Sequence, residues 1–445
     1  MPHITFIYPC IGRFRDTKYV RSWQMQPLSI AVLSSLTPTN WDRHFFDDRL
    51  EDIDYERPTD VVAISVETYT ARRAYQIAAE YRKRGVAVIM GGYHATFCPD
   101  EVIQHADAVC VGEAEGCWGE ILDDISSQSI KGIYRSNSQR TLSGINPDRD
   151  IFTGKNYLRL NLVETSRGCS FSCSFCSITS FFKATHRSRP VEDIVREVKA
   201  SKTKLFFFVD DNIVSNQNRA MELFRALIPL KISWVSQGCI DAAQNPELIG
   251  LMAASGCKGV LVGFETLSKD NLGAVNKKVN STIEYKQAIS VYRKHGILLY
   301  GTFMFGMEND TNELMEDTIS FAREQKLFLA AFAHVMPFPG TPLYQQIAER
   351  PQSGMKKWWL DEEYRFGQVP YNPSSMKAQS LESMCHVARK RFYGIRSIIS
   401  RGLDFTANCS GLKNAKYFLG INFMMRREVN QKKGLPLGLR DEAEG

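Results

Sequence analysis

Short, continuously apolar segments alternate with amphipathic segments along most of this chain, and the alternation limits the folds open to it. Residues 60–66 (DVVAISV) and 86–92 (VAVIMGG) are uninterrupted apolar runs, which are typical of strands covered on both faces. Between them, residues 70–85 carry apolar side chains at helical spacing and end in Gly85. Strands that alternate with helices form a parallel, doubly wound sheet. The sequence therefore predicts an α/β fold.

The alternation occurs in two series, which predicts two parallel-sheet domains and a third region. We expect the first domain over residues 1–140. Residues 126–158 are polar and rich in Ser, Asn and Gly, so we expect a connection with a small hairpin there, and the linker itself at 141–158. Residues 159–350 hold six β/α units, enough for a partial barrel. Residues 351–445 are expected to form a helical, substrate-specificity region, whose aromatic side chains either pack together or line an apolar pocket: Trp358, Trp359, Tyr364 and Phe366.

The composition is that of a globular protein, and we expect a cytoplasmic one. Of the 445 residues, 44% are hydrophobic and 11% aromatic, which excludes a disordered chain. No apolar window reaches the roughly 18 residues that a bilayer crossing needs, and the first residues lack a secretory signal pattern. The 11 cysteines are then expected to be reduced, as core residues or metal ligands. The net charge of +6 is mild and spread along the chain, which argues against nucleic-acid binding.

The most specific motif is RGCSFSCSFCS, which places Cys169, Cys173 and Cys176 after the first strand of the second series. Structural zinc takes four ligands, usually as two separate C-x-x-C pairs, and no second pair is present. Three cysteines on a four-iron cluster leave one iron with an open position, so the cluster can act as a reagent. Polar residues end the strands that follow, and a magnesium site at Asp210 and Asp211 is the alternative use of two of them.

The strand ends of the first domain form a second candidate site, because ligands of doubly wound sheets bind beyond the carboxyl ends of the strands. Gly91 and Gly92 either let a ligand approach the backbone closely or make a tight turn. No G-x-G-x-x-G follows the first strand, which argues against a nicotinamide dinucleotide. The candidate residues are Ser65, Glu67, Thr68, Gly91, Gly92, Tyr93, His94, Gly112, Glu113 and Glu115.

The cysteine motif, with Phe175 just before its last cysteine, resembles the signature of the radical S-adenosylmethionine superfamily. The segment MGGYHATFCPDEVIQHADAVCVGEAEGCWGEI is similar to the Rossmann-like cobalamin-binding domain of the class B radical S-adenosylmethionine methyltransferases. The likeness covers about residues 1–350. It implies that Cys169, Cys173 and Cys176 hold three irons of a [4Fe-4S] cluster, and that the fourth iron binds S-adenosylmethionine. It also implies cobalamin at the strand ends of the first domain.

The resemblance further implies contacts with S-adenosylmethionine. The backbone of Phe175 would meet the adenine edge, and Met336 would lie along the adenine. Gln237 and Glu265 are expected to bind the ribose or the amino group.

Two departures from the family pattern concern single residues. Asp210, Asp211 and Asn212 stand where the family's second strand contacts the methionine amino group, although the family commonly has G-G-E there. The D-x-H-x-x-G motif that supplies a cobalt ligand in other cobalamin proteins is missing. His94 is therefore expected to touch the edge of the pocket or to be an ordinary turn residue.

The resemblance implies an enzyme that cleaves S-adenosylmethionine to a 5′-deoxyadenosyl radical and, with cobalamin, methylates an unactivated carbon. One alternative is a cyclase, oxidase or rearrangement enzyme on the same scaffold. A second is a methylthiotransferase, which would need three further cysteines in the first domain; Cys10, Cys98, Cys110 and Cys117 occur there. A non-catalytic cobalamin or zinc protein does not explain the barrel.

We expect a small-molecule substrate that is lipid-like or a natural product, a reductase such as flavodoxin or ferredoxin, and a monomer. The segment AKYFLGINFMMRREVNQKK joins a short apolar stretch to Arg426, Arg427, Lys432 and Lys433. It is expected to rest on the core or on a membrane surface near a lipid substrate.

Overall fold

The computed structural model describes residues 1–20, 24–136, 141–429, 431 and 433–441. Within these residues the chain forms two six-stranded and two two-stranded sheets. The strands are β1 (His3–Tyr8), β2 (Gly12–Phe14), β3 (Asp42–Asp47), β4 (Val61–Ser65), β5 (Ala87–Gly91), β6 (Ala108–Val111), β7 (Ile133–Arg135), β8 (Asn161–Val163), β9 (Ser166–Gly168), β10 (His186–Ser188), β11 (Leu205–Phe208), β12 (Ser233–Gly238), β13 (Cys257–Glu265), β14 (Leu298–Phe305), β15 (Leu329–His334) and β16 (Gly438–Arg440).

Helices connect most of these strands. They are α1 (Leu28–Leu36), α2 (Ala71–Lys83), α3 (Tyr93–Phe97), α4 (Pro99–Val102), α5 (Trp118–Ser126), α6 (Ser177–Phe182), α7 (Val191–Ala200), α8 (Gln217–Leu227), α9 (Pro246–Ala254), α10 (Lys269–Ala274), α11 (Lys278–Ser281), α12 (Tyr285–Lys294), α13 (Asn312–Glu324), α14 (Pro342–Ala348), α15 (Ala378–Phe392), α16 (Ile395–Gly402) and α17 (Leu412–Glu428). No helix among the described residues combines the length and the apolarity needed to cross a bilayer.

The first sheet has the order β3-β1-β4-β5-β6-β7, and all of its strand pairs are parallel. Its strands read as continuous apolar runs because both faces are covered. Val62 and Ile64 face one apolar cluster, whereas Val61 and Ala63 face the other. The strand order reverses between β1 and β4, which places a ligand crevice at the carboxyl ends of these strands. The predicted doubly wound sheet is confirmed.

The expected hairpin within residues 126–158 is wrong. Residues 133–135 form β7, the sixth strand of the first sheet, which pairs in parallel with β6. Tyr134 is buried in the core of this domain, and its hydroxyl donates to Asp124 Oδ2 at 2.9 Å. This anchored apolar side chain draws the segment onto the sheet edge.

The second sheet contains six parallel strands in the order β15-β14-β13-β12-β11-β8, which confirms the predicted partial barrel. In the part of the chain that the structure describes, β8 and β15 do not pair, so the barrel stays open. An antiparallel hairpin of β9 and β10 follows β8. Its first strand, β9, leads directly into the cysteine motif, and its second strand, β10, follows the motif.

The final region is helical, as expected, but it also returns to the first domain. Trp358, Trp359 and Tyr364 are buried in an apolar cluster shared with α2 and the first sheet, so they pack and do not line an open pocket. Near the end of the chain, β16 pairs in parallel with β2. The last described strand is thus hydrogen-bonded to one of the first.

Candidate functional site

The three cysteines of the motif lie in one loop at the carboxyl end of the barrel sheet. The loop follows β9 and ends at Cys176, the residue before α6. All three thiols are free; Cys173 is buried, and Cys169 and Cys176 are half-buried. Burial raises the pKa of Cys173 to about 11, and the nearby Cys176 and Cys169 act in the same direction. The structure therefore brings the three predicted ligands into one neighbourhood.

The donor set of this loop fits an iron–sulfur cluster. Thiolates are soft ligands, which suit iron–sulfur clusters and not hard cations such as Mg²⁺. Across the described ranges of the chain, no group of three His, Cys, Asp or Glu side chains is placed to hold a single ion. In a cluster each cysteine binds a different iron, so the sulfurs need not converge on one point. Gly168 has a φ of +81°, and any Cβ there would collide with the carbonyl of Thr185, so the turn into the loop requires glycine.

Asp210 follows β11 and supports the segment that leads to the cysteines. Its carboxylate accepts hydrogen bonds from the backbone N–H of Thr165 at 2.6 Å and of Ser166 at 3.1 Å. The hydroxyl groups of both residues donate to it as well. Asp210 is completely buried. This differs from the expected contact with S-adenosylmethionine, because the carboxylate is engaged by the loop; it is a positioning residue.

Asp211 and Asn212 lie beside the start of the cysteine loop. Asp211 accepts a hydrogen bond from the N–H of Gly168 at 2.9 Å, and burial raises its pKa to about 6. The side-chain amide of Asn212 donates to Cys169 Sγ at 3.8 Å. Together these contacts connect the end of β11 to Cys169, the first of the predicted cluster ligands. The structure shows no cation ligand set at Asp210 and Asp211, within the residues that it describes.

Glu265 ends β13 and has an unusual environment. Its φ of +63° lies in the left-handed region, next to a register shift between Gly263 and Glu265. A residue other than glycine in this region is strained and frequently marks a functional site. The buried carboxylate pairs with Lys277 Nζ. Burial lowers the pKa of Lys277, but the Glu265 carboxylate outweighs burial and raises it.

Lys277 had no signal in the sequence pattern, because it lies in a loop between two short helices. Gln237, the penultimate residue of β12, is half-buried at the same end of the sheet as Glu265. The strand ends therefore bring both predicted residues to the cysteine side of the barrel.

Met336 and Phe175 pack into apolar surroundings. Met336 is buried in the cluster that contains Trp358 and Trp359, which differs from the expected position along an adenine because these rings enclose its side chain. Phe175 is half-buried and packs against the core of the barrel. Its backbone lies between Ser174 and Cys176 in the loop, as the motif requires.

A cavity of about 300 Å³ separates the ends of the two sheets. Seven of the ten predicted cobalamin residues line it: Ser65, Gly91, Gly92, Tyr93, Gly112, Glu113 and Glu115. The barrel side contributes Glu164, Arg167, Phe181, Phe182 and Val209. The rings of Tyr93 and Phe181 meet across it with centroids 4.8 Å apart. The strand ends of the two domains thus face a common space.

The glycine pair gives this cavity its floor. Gly92 has a φ of +106°, and a Cβ there would lie 2.7 Å from the carbonyl oxygen of Val66. A Cβ on Gly91 would lie 3.4 Å from the Cβ of Cys110. Both residues line the cavity without a side chain, so their backbone is open to a large, flat cofactor such as cobalamin. The residues present fit the cofactor.

Glu67 lines a neighbouring cavity of about 300 Å³ at the switch point between β1 and β4. Tyr8 and Arg49 line it too, with the guanidinium 4.4 Å above the tyrosine ring. Burial raises the pKa of Glu67, and Arg49 opposes this shift. Glu67 therefore borders the crevice at the switch point but not the cavity between the two sheets.

His94 and Thr68 do not face either cavity. The His94 ring is completely buried, with Nδ1 3.3 Å from Thr68 Oγ1 and Nε2 3.2 Å from both Tyr75 Oη and Glu101 Oε1. The ring also meets the edge of Trp359. This corrects the expected pocket-edge contact, because the side chain turns inward beneath the glycine pair.

Glu101 is the centre of this buried network. Its carboxylate accepts hydrogen bonds from Tyr75 Oη at 2.9 Å, Trp359 Nε1 at 2.8 Å and Lys357 Nζ at 2.9 Å. Burial raises the pKa of Glu101, but the hydrogen bonds from His94, Lys357, Trp359 and Tyr75 outweigh burial and lower it to about 2. The network therefore joins the first domain to the final region of the chain.

Arg167 joins the two candidate sites and was missed by the sequence analysis. Its guanidinium donates to Glu113 Oε1 at 2.7 Å, Glu115 Oε1 at 2.6 Å and Glu164 Oε2 at 2.9 Å. Arg187, on the paired strand of the hairpin, also donates to Glu113 Oε1 at 2.6 Å. Arg167 lies two residues before Cys169, and this position was the available signal in the sequence. The hairpin whose two strands flank the cysteine loop thus holds two carboxylates that follow β6 of the first sheet.

The four cysteines of the first domain do not form a second cluster site. Cys110 and Cys117 are in contact, with their sulfurs 2.8 Å apart, and both are buried. Cys98 packs against the apolar cluster on the opposite face of the first sheet, so it lies apart from this pair. The arrangement gives no support to a methylthiotransferase.

Comparisons with known proteins agree with this geometry. Residues 163–322 match the Radical SAM superfamily model, and residues 34–122 match the B12 binding domain model. Two proteins of Chlorobaculum tepidum are similar over most of the chain. Its bacteriochlorophyllide d C-12(1)-methyltransferase is 30% identical, over 73% of this chain and 74% of that protein. Its bacteriochlorophyllide d C-8(2)-methyltransferase is 30% identical, over 74% and 78% respectively.

A solved structure shares the fold. The radical S-adenosylmethionine methyltransferase TsrM from Kitasatospora setae, with cobalamin and a [4Fe-4S] cluster bound, is 16% identical. The comparison covers 97% of this chain and all of that one, with a TM-score of 0.66. The arrangement of a first doubly wound sheet against an open barrel is therefore that of a known enzyme architecture.

Proposed function

The chain belongs to the cobalamin-dependent radical S-adenosylmethionine methyltransferases, and from this premise we propose that it methylates an unactivated carbon of a small molecule. It is an enzyme whose cofactors are a [4Fe-4S] cluster, S-adenosylmethionine and cobalamin. The observation that carries the proposal is the cavity between the two sheets, because seven predicted cobalamin residues line one side of it and residues next to the cysteine loop, among them Arg167 and Phe181, line the other. Reactive groups held in two domains must meet at such a shared space.

Cys169, Cys173 and Cys176 would hold the cluster, whose open iron would bind S-adenosylmethionine. When bound, the cofactors supply a 5′-deoxyadenosyl radical and a transferable methyl group. The chain itself supplies position. Asp210 fixes the segment before the cysteines through four hydrogen bonds, and Asp211 fixes the N–H of Gly168.

Glu265 and Asn212 are the residues that we propose to contact or border S-adenosylmethionine, together with Gln237 and the backbone of Phe175. The buried Glu265 carboxylate pairs with Lys277 Nζ, and a carboxylate at this position suits an acceptor of hydrogen bonds from hydroxyl or ammonium groups. Cobalamin would lie against Gly91 and Gly92, the bare backbone of the cavity floor.

Apolar rings close the shared cavity. Phe181 and Phe182, which end α6 directly after the cysteine loop, face Tyr93 of the first domain. Phe181 also contacts Phe97, with ring centroids 6.2 Å apart. These rings exclude water from the space in which a carbon radical must persist.

Further features of the enzyme are part of the same proposal. We propose a division at about residues 140, 158 and 350, a monomer in the cytoplasm, and a reductase such as flavodoxin or ferredoxin as the electron source. The substrate is a small molecule, and bacteriochlorophyllide d is the first candidate to test, because two relatives carry its name. Lipid-like compounds and other natural products are the next classes.

Anaerobic reconstitution tests the proposal. The protein is loaded with iron, sulfide and cobalamin, reduced, and given S-adenosylmethionine with a deuterated methyl group and a candidate substrate. Formation of 5′-deoxyadenosine, S-adenosylhomocysteine and a deuteromethylated product supports methylation. 5′-Deoxyadenosine with an altered but unmethylated product indicates the cyclase, oxidase or rearrangement alternative. A loaded protein that makes no 5′-deoxyadenosine contradicts the proposal.

A further inference from the structure

Large apolar side chains are exposed in one short part of the final region. Among the described residues, eight of the fourteen exposed large apolar side chains lie between residues 395 and 423. Phe405 is 74% exposed and Leu412 is 86% exposed. We name this set the C-terminal apolar surface; its members are Ile395, Ile399, Leu403, Phe405, Leu412, Tyr417, Leu419 and Phe423.

The exposed residues of α17 form one face of that helix. Leu412, Leu419 and Phe423 are separated by seven and four residues, so they lie on the same side. Phe418 and Asn422 are buried on an adjacent side, about 100° around the helix from Leu419 and Phe423. One side of α17 therefore packs on the core, whereas another, apolar side is exposed to solvent.

Basic residues surround this surface. Residues 389–428 contain nine Lys and Arg but only Asp404 and Glu428 as acids, which gives a formal charge of +7. The whole chain carries +6, so the remainder is close to neutral. The expectation of an evenly spread charge is therefore wrong. Lys416 and Arg427 flank the apolar line of α17; Lys432, also named in the sequence analysis, lies outside the described residues.

The surface is built on a rigid support away from the cysteines. Arg401 of α16 is completely buried and donates to the carbonyls of Leu327 and Phe328 and to Asn422 Oδ1 of α17. These carbonyls precede β15, whereas the cysteine loop lies at the carboxyl ends of the barrel strands. The surface therefore belongs to neither cofactor site.

We propose that the C-terminal apolar surface docks on a bilayer that contains anionic lipids. Exposed apolar side chains ringed by Lys and Arg are the features that bind an interface, since the former enter the acyl boundary and the latter meet the headgroups. A second copy of the chain is a poorer occupant, because pairing would bring two basic surfaces together. The proposal does not depend on the substrate or on methylation.

Vesicle flotation tests it with the full chain. Wild-type protein is expected to float with vesicles of phosphatidylcholine and phosphatidylglycerol in a three-to-one ratio, and to float far less with pure phosphatidylcholine or at high salt. Phe405→Ser combined with Leu412→Ser is expected to abolish flotation. Lys416→Glu combined with Arg427→Glu should weaken partitioning by at least about thirtyfold, since each basic residue near the surface contributes a factor of about five.

The matched control replaces exposed residues elsewhere, by Ile228→Ser combined with Lys202→Glu. This variant should float like the wild type, and all variants should keep their iron content and their yield of 5′-deoxyadenosine, which separates this proposal from the proposed function. Flotation that survives both double substitutions overturns docking through this surface. So does a wild-type dimer that Phe405→Ser and Leu412→Ser convert to a monomer, or binding to an acidic protein but not to anionic vesicles.

Discussion

Arg167 Nη2 donates to Glu115 Oε1 at 2.6 Å, which ties β9, the strand that leads into the cysteine loop, to the segment after β6 of the first sheet. The same guanidinium contacts Glu113 and Glu164, and it is largely buried. A buried charge with several partners fixes geometry more than it adds stability, but the loss of one partner is costly. The side chain of Arg167 therefore links the two candidate cofactor sites.

Arg167→Met is expected to lower the free energy of unfolding by about 3 kcal/mol, because three carboxylates lose their common partner. Cobalamin retention after gel filtration should fall, whereas iron content should stay near that of the wild type. Arg196→Met is the control, since Arg196 forms an exposed pair with Asp193 and should cost less than about 1 kcal/mol. Equal cobalamin retention in both variants would show that Arg167 does not couple the sites.

Gly92→Ala is expected to weaken cobalamin binding strongly, because the new Cβ would collide with the carbonyl oxygen of Val66 and displace the backbone that lines the cavity. Gly85→Ala introduces a methyl group at a residue with a similar positive φ but with open space around it. Both variants place a side chain at a positive φ, and Gly92→Ala adds the collision with Val66. Titration with hydroxocobalamin, followed by its visible spectrum, measures the difference. Unchanged affinity in Gly92→Ala would contradict the assigned floor.

Cys173→Ala is expected to remove the cluster and to reduce 5′-deoxyadenosine formation below detection, because one of three iron ligands is lost. Cys257→Ala is the matched control, since Cys257 is a buried, free cysteine at the other end of the barrel sheet. Iron and sulfide analysis after anaerobic reconstitution gives the readout. Full iron content in Cys173→Ala would overturn the ligand assignment.

His94→Gln is expected to leave cobalamin affinity and spectrum unchanged, because the ring lies in the buried Glu101 network and not in a cavity. Its stability should fall by about 1–3 kcal/mol, since buried partners lose a hydrogen bond. Denaturant unfolding and cobalamin titration on the same sample separate these two effects. A spectral shift of bound cobalamin would restore His94 as a cofactor contact.

Glu101→Gln tests the pH dependence of the same network. The native carboxyl has a pKa of about 2, below its ordinary value of 4.5, so the wild type gains stability above pH 4.5 and loses it as the pH falls towards 2. The variant should be about 2–3 kcal/mol less stable at pH 7, and this difference should shrink steadily below pH 4.5. Glu349→Gln, at an exposed position, should show no such difference. Urea unfolding followed by tryptophan fluorescence provides the measurement.

The fold was largely predictable, because the strands of a parallel sheet that is covered on both faces have continuous apolar sequences. The alternation located both six-stranded sheets and their carboxyl ends. The hairpin of β9 and β10 escaped prediction, since three-residue strands carry too little pattern. The pairing of β2 with β16 escaped it too, because hydrogen bonds between backbones so distant in sequence leave no local signal.

The candidate sites were predictable to the level of strand ends but not of side-chain direction. The glycine pair and the three cysteines follow from chemistry that few other residues can supply. Asp210 and His94 follow strands, yet their side chains point inward. Asp210 accepts hydrogen bonds from buried backbone N–H groups, and His94 is hydrogen-bonded to the buried Glu101 carboxylate. Lys277 and Arg167 were missed because a partner for a buried acid can come from any loop that reaches it.

The pairing of β2 with β16 sets an order of events during biosynthesis. Residues 12–14 leave the ribosome more than four hundred residues before residues 438–440 can reach them. In the nascent chain β2 therefore lacks its partner strand until residues 438–440 have been made. A chain terminated before residue 438 would lack the pairing of β2 with β16, even if its barrel were complete.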